Sequence, residues 1–233
     1  MPVKRHYPYN LIRRSIFMSL KAELAAFRAD FMTRVPPEIR DAMIRADQEL
    51  SISGVQEKAI KAGQRAPDFM LPDAHGNKVR LSTLLEQGPV VLSFYRGGWC
   101  PYCNLELRAL QNALPEFTSL GATLVAVSPQ SPDESLSTSE KNELEFAVLS
   151  DTDSRTAKAF GIAFDLAEEL RPIYTRFGHA LPDKNAVESW ILPIPATFVI
   201  DQDGVVALAF VDVDYRNRLE PAEIVTVLKN LSA

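Results

Sequence analysis

Cysteine is scarce in this chain, with two in 233 residues beside three histidines. So few cysteines exclude a small disulfide-stapled fold. A structural zinc site needs about four ligands. A single Cys-X-X-Cys, with His6, His75 and His179 apart in loops, has no matching second half, so no metal is expected. No apolar run approaches the ~20 residues of a membrane helix. The basic start KRHYPYNLIRRS runs into a short apolar stretch, Ser15–Leu20, too interrupted for a secretion signal. One-sided charge is also lacking: 25 Lys and Arg stand against 30 Asp and Glu, a net charge of −5. The two signs are interleaved, which argues against a nucleic-acid surface. There is no Ser/His/Asp arrangement, no glycine-rich phosphate loop, no internal repeat and no low-complexity tract. An ordinary globular protein is left, expected in the cytoplasm. In that reducing compartment a close cysteine pair is typically catalytic, redox-sensing or metal-binding.

Both cysteines fall in one stretch, Val90–Asn104, VVLSFYRGGWCPYCN. Val90–Tyr95 reads as a buried strand, Gly97-Gly98 as a tight turn, and LELRALQNAL as the helix that follows. A Cys-X-X-Cys at a helix N-terminus faces unpaired backbone N–H groups and a partial positive charge, and both favour S⁻ over SH. Such a site lowers a thiol pKa from about 8.5 to roughly 3.5–7.5. Pro101 suits the first helical turn, where its missing N–H costs nothing. Trp99 reads as a packing wall beside the pair, and Arg96, four residues before Cys100, as a source of positive charge.

Residues 1–62 read as a helical arm. Phe17, Leu20, Leu24, Phe27 and Phe31 form one apolar stripe. Val35-Pro36-Pro37 ends that helix and opens another, whose buried face is Ile39, Met43, Ala46 and Leu50. A third short helix is expected over Gly54–Ala62. The arm holds no candidate chemistry; it either packs on the domain that follows or forms a homodimer contact. Residues 63–233 read as an α/β domain with a largely parallel sheet. The expected elements are a hairpin turning at His75-Gly76-Asn77, a short helix capped by Ser82, and strands at Val90–Tyr95, Ala122–Val127, Ala147–Leu149 and Ile194–Ile200. A hairpin returns through Val205–Val211, and an amphipathic helix covers Pro221–Leu231. Pro115 is expected to kink or end the helix after the cysteines. Residues 164–190 interrupt the alternation as an insertion, long enough to suggest a functional segment.

APDFMLPDAHGNKVRLS, FYRGGWCPYCN and PATFVIDQDGVV together resemble the alkyl hydroperoxide reductase/thiol-specific antioxidant family, the peroxiredoxin-like branch of the thioredoxin superfamily. The resemblance implies a thioredoxin-like fold, a central mixed sheet flanked by helices, with the helical arm as an N-terminal extension. It implies a thiol peroxidase that needs no organic cofactor and reduces hydrogen peroxide or organic hydroperoxides. Thioredoxin or glutathione/glutaredoxin would be the external reductant, and a thiol–disulfide oxidoreductase is the alternative. Matched to thioredoxins, Cys100 is the exposed attacking thiol and Cys103 its buried partner. Matched to peroxiredoxins, Cys103 attacks and Cys100 takes the place of the usual Thr or Ser. Arg218 matches the arginine that holds the peroxide, and Pro195 the cis-proline facing the cysteines in thioredoxin folds.

Overall fold

The computed structural model describes residues 19–232. Expectations for residues 1–14, Ser15 and Phe17 lie outside them. Two helices, Leu20–Arg34 (α1) and Pro37–Ile52 (α2), lead in. Ser19 caps α1 by accepting the Ala22 N–H, and extended Val35 ends it before Pro36. A hairpin of Met70–Pro72 (β1) and Lys78–Arg80 (β2) precedes the short helix Leu81–Leu85 (α3). The central elements are Val90–Phe94 (β3), Pro101–Ser119 (α4), Thr123–Ser128 (β4), Pro132–Asn142 (α5), Ala147–Ser150 (β5) and Arg155–Ala159 (α6). Next come Ala163–Asp165 (β6), Arg171–Arg176 (α7), Leu181–Asn185 (α8) and Ile191–Pro193 (β7). Ala196–Ile200 (β8), Val206–Val211 (β9) and Pro221–Leu231 (α9) close the chain.

The main sheet runs β5-β4-β3-β8-β9. β3, β4 and β5 are parallel, while β8 and β9 are antiparallel additions, so the sheet is mixed and the fold is thioredoxin-like. Alternation along β3 builds both sides of the core. Val91 and the following Tyr95 join Leu107, Leu110, Phe117, Ile224 and Leu228 of α4 and α9. Val90, Leu92 and Phe94 face the other way, onto Leu81, Phe160, Ile162 and Phe198.

The helices before the sheet pack onto it. Leu20 and Leu24 are buried in the α4–α9 cluster. Ala42 and Ala46 of α2 are buried against Leu170, Tyr174 and Leu181, which belong to the insertion. The connection between α2 and the sheet passes close to Gly161, where a Cβ would overlap the Lys58 carbonyl and φ is +71°.

Several boundaries differ from expectation. The third arm helix is a single turn, Gln56–Lys58. Ser82 lies inside α3 rather than capping it, because Asp68 from the preceding loop accepts its N–H at 2.9 Å. Pro115 does not end α4. Proline there removes one helix bond near the C-terminus, and fully buried Phe117 holds the last turn. The insertion is framed by a second small sheet, β6 antiparallel to β7, which has no clear alternation in sequence.

Leu24→Ala tests whether α1 unfolds with the rest of the chain. Loss of about 2–5 kcal/mol is expected for a buried leucine, read as a lower urea midpoint in one cooperative transition. A separate early transition would show that α1 is only loosely attached.

Candidate active site

The site forms where β3 stops. Gly97, Gly98 and Trp99 turn the chain, and Cys100 occupies the N-cap of α4 with extended backbone (φ −88°, ψ 114°). Pro101 is the first helical residue. The turn is fixed by polar groups from other elements. The Gly98 N–H donates to Gln130 Oε1 at 2.7 Å, and the Gly98 carbonyl accepts from Asn104 Nδ2 at 2.8 Å. Asn142 donates to Asn104 in turn, at 3.1 Å. A Cβ on Gly98 would overlap Thr138, so glycine is required for close packing here.

Both thiols are free and buried: Cys100 is 2% exposed and Cys103 0%. This corrects the expectation that Cys100 projects into solvent. Its surroundings explain the difference, because Leu20, Leu24 and Tyr102 share its cluster and Phe27, Trp99 and Tyr215 pack against it. Phe27 of α1 meets Tyr102 edge-on at 5.0 Å, and Tyr102 meets Tyr215 at 5.6 Å.

Arg218 reaches the pair from the loop before α9. Its Nη2 lies 3.5 Å from Cys103 Sγ. Its Nε donates to Glu106 Oε2 at 2.6 Å, and these two side chains are 1% and 2% exposed. Nη1 donates to the carbonyls of Tyr215 and Asn217. The same loop is tied to the leading helices by Arg216–Asp47 at 2.6 Å and Arg28–Asp214 at 3.5 Å.

Arg96 is 3% exposed and boxed by rings. Its guanidinium carbon lies 4.1 Å from the Tyr215 ring centre, 5.1 Å from Trp99 and 5.7 Å from Tyr174. It also donates to the Tyr174 hydroxyl, while its Nε has no partner. Trp99 walls this region, edge-on to Tyr174 at 5.5 Å and stacked on His179 at 5.2 Å. A cavity of about 360 Å³ opens beside it, lined by Arg96, Tyr174, Tyr215 and Pro195 and by Met43 and Ala46 of α2.

Pro195 therefore lies near the site, but its peptide bond is trans, against the expected cis bond. The chain passes directly from β7 to β8, with the Ile194 N–H held by the Ile162 carbonyl at 2.7 Å, and needs no reversal there. Cys100, Cys103, Arg218, Arg96 and Trp99 come together. Glu106, Tyr174 and Tyr215 were missed. Glu106 carried one usable signal, a carboxylate three residues after Cys103 on the buried face of α4. The two tyrosines carried none, since tertiary packing alone delivers them. Among the described residues no cluster of His, Cys, Asp and Glu could hold a metal.

Burial alone raises both thiol pKa values. At Cys100 it is outweighed by the hydrogen bond from Cys103 and by the guanidiniums of Arg96 and Arg218, which bring the thiol down to about 6. Cys103, buried and donating to that thiolate, is pushed well above the ordinary thiol range. The two behave as one unit holding a single negative charge. Burial pushes Glu106 up to about 7, with Arg218 pulling the other way.

A strand, a glycine turn and a Cys-X-X-Cys at a helix start, on a mixed sheet, define a thiol oxidoreductase of thioredoxin-like fold. The chain belongs to the AhpC/TSA family, whose family model matches residues 62–209. It is 32% identical over 103 residues to Peroxiredoxin Bcp of Escherichia coli (strain K12), covering 44% of this chain and 65% of that protein. It is 29% identical over 162 residues to the chloroplastic Peroxiredoxin Q of Sedum lineare, covering 70% of this chain and 72% of that one. The crystal structure of Peroxidoxin BcpB from Mycobacterium tuberculosis superposes with a TM-score of 0.58 at 26% identity, covering 73% of this chain and 97% of that one. The chain is thus a thiol peroxidase of the peroxiredoxin type. No helix among the described residues is long and apolar enough to cross a membrane.

The lowered Cys100 pKa gives a signed expectation. Thiolate absorbance at 240 nm in the reduced protein is present at pH 8 and falls as pH drops through about 6. A folded pKa below the unfolded value of about 8.5 also contributes stability to the reduced protein that is fully present above about pH 8.5 and lost progressively as pH falls from there to about 6. A midpoint at or above the unfolded value would contradict the electrostatics described.

Proposed function

We propose that Cys100 and Cys103 reduce a peroxide as a two-thiol unit, with Cys100 attacking and Cys103 resolving. The supporting observation is the single depressed thiol at the N-cap of α4, beside Arg96 and hydrogen-bonded by its partner cysteine. The Cys100 thiolate attacks one peroxide oxygen. An S–O bond forms, the O–O bond breaks, and the alkoxide or hydroxide leaves and takes a proton from water. Cys100 is then a sulfenic acid. The Cys103 sulfur attacks it, an S–S bond forms and water departs. In sum, one peroxide and two thiols give one alcohol or water, one further water and a disulfide. Donors on Arg218 and the backbone N–H groups at the start of α4 stabilise the departing oxyanion. The cavity beside Arg96 is the proposed approach for peroxide; its lining includes Arg96, Tyr174 and Tyr215 but neither sulfur.

The chain has no third cysteine. An external dithiol, thioredoxin or glutathione/glutaredoxin in the cytoplasm, therefore restores the pair by exchange. The 3.5 Å contact of Arg218 on Cys103 favours a second reading, in which Cys103 attacks and Cys100 resolves.

Mass spectrometry after one equivalent of peroxide separates these readings. Cys103→Ser is expected to accumulate sulfenic acid on Cys100, and Cys100→Ser to react at least about tenfold more slowly. The opposite pattern would establish the reverse order. Unchanged turnover in both variants, with a thioredoxin system present, would refute the two-thiol reading.

A further inference from the structure

We infer that Arg96, which has no carboxylate partner among the described residues, is the counter-ion of the reacting thiolate, with the ion-paired Arg218 beside it as a donor. This rests on the two-thiol reading above. The two buried arginines differ in what surrounds them. Arg218 is matched by Glu106 at 2.6 Å, and both side chains are sealed from water. The Glu106 carboxylate offsets the Arg218 charge only while it is ionised, above about pH 7.

Arg96 has no such match among the described residues. Its hydrogen-bond partner is the neutral Tyr174 hydroxyl, and its Nε is unpartnered. The three rings around it attract a cation through their faces but carry no net charge. The nearby acids are otherwise placed. Asp47 lines the same cavity but is held by Arg216, and Glu49 and Asp165 sit in the exposed part of the lining. The remaining titratable neighbours, Tyr95, Tyr102, Tyr174 and Tyr215, are all held protonated by burial. Burial keeps His179, stacked on Trp99, toward its neutral form. A fully enclosed cation needs an opposite charge, and the thiolate of the cysteine pair is the one left. Aromatic rings from three separate segments hold the guanidinium in place. Arg96 is thus a positioning and charge-balancing residue, distinct from the donor role proposed for Arg218.

The test is the 240 nm thiolate titration of reduced protein from pH 4.5 to 9, below tyrosine ionisation and silent to Glu106. Arg96→Met is expected to raise the thiolate midpoint by about 1–3 pH units, the effect of removing an adjacent opposite charge. Arg96→Lys keeps the charge and is expected to hold the midpoint within about half a pH unit of the parent protein. The double variant Glu106→Gln/Arg218→Met removes the ion pair and is expected to move the midpoint by less than Arg96→Met does. An unmoved midpoint in Arg96→Met overturns the inference, as does a larger shift in the double variant. If Arg96→Met does not fold, the double variant decides alone: a retained low midpoint supports Arg96, and a rise to the ordinary thiol range overturns it. The titration needs no turnover. Peroxide consumption by the parent protein is measured separately, so failure of the two-thiol reading shows there and not in the midpoint.

Discussion

Two sulfurs and two guanidiniums share a space from which water is excluded, and the rest of the structure answers to that constraint. Charge in a low-dielectric interior is tolerated only where opposite charge or dense hydrogen bonding meets it. A thiolate at an exposed helix start would lean on the helix N-terminus alone. Here burial works against ionisation, and the Cys103 thiol, the nearby guanidiniums and the Cys103 backbone N–H together turn the balance toward S⁻. The β3–turn–α4 unit supplies both cysteines and Arg96. The loop before α9 supplies Arg218, so the sheet must bring β3 and the C-terminal segment together before the chemistry exists.

The leading helices and the insertion have a part in this beyond covering apolar surface. α1 contributes Phe27 to the aromatic contacts over Tyr102. α2 holds Arg216 through Asp47, two residues from Arg218. The insertion contributes Tyr174, which hydrogen-bonds Arg96 and packs edge-on to Trp99. Segments outside the strand–helix alternation thus take part in the aromatic and polar contacts around the site.

What could be read from sequence followed from local signals. Val90–Asn104 combined an apolar run, two glycines, a proline at a first helical turn and the cysteine spacing, and all of these act within a few residues. The strands β3, β4 and β8 and the helix α9 were legible for the same reason. Burial of Cys100 was not, because the cluster that encloses it gathers side chains as distant in sequence as Leu20 and Leu228. The isomer of the Ile194–Pro195 bond was misjudged because it depends on how β7 feeds β8, and β7 pairs with a three-residue strand too short to show a pattern. The role of Ser82 was misjudged because Asp68, fourteen residues earlier, competes for its N–H.

The contrast between the two arginines bears on how such a site is built. Four of the five N–H donors of Arg218 are taken, by Glu106, two backbone carbonyls and Cys103 Sγ. A buried ion pair of this kind is weak evidence for stability, since desolvation offsets much of the attraction and apolar substitutes often do as well. Its value lies in direction, because the fork geometry fixes where the remaining nitrogen points, and that nitrogen faces sulfur. Arg96 is the reverse case, with an unpartnered Nε and rings in place of carboxylates. Such a group is costly in isolation, and it becomes tolerable to the extent that a negative sulfur stands beside it. The fold therefore couples the ionisation of the thiol to the satisfaction of the arginine: each charge is the condition under which the other can stay buried.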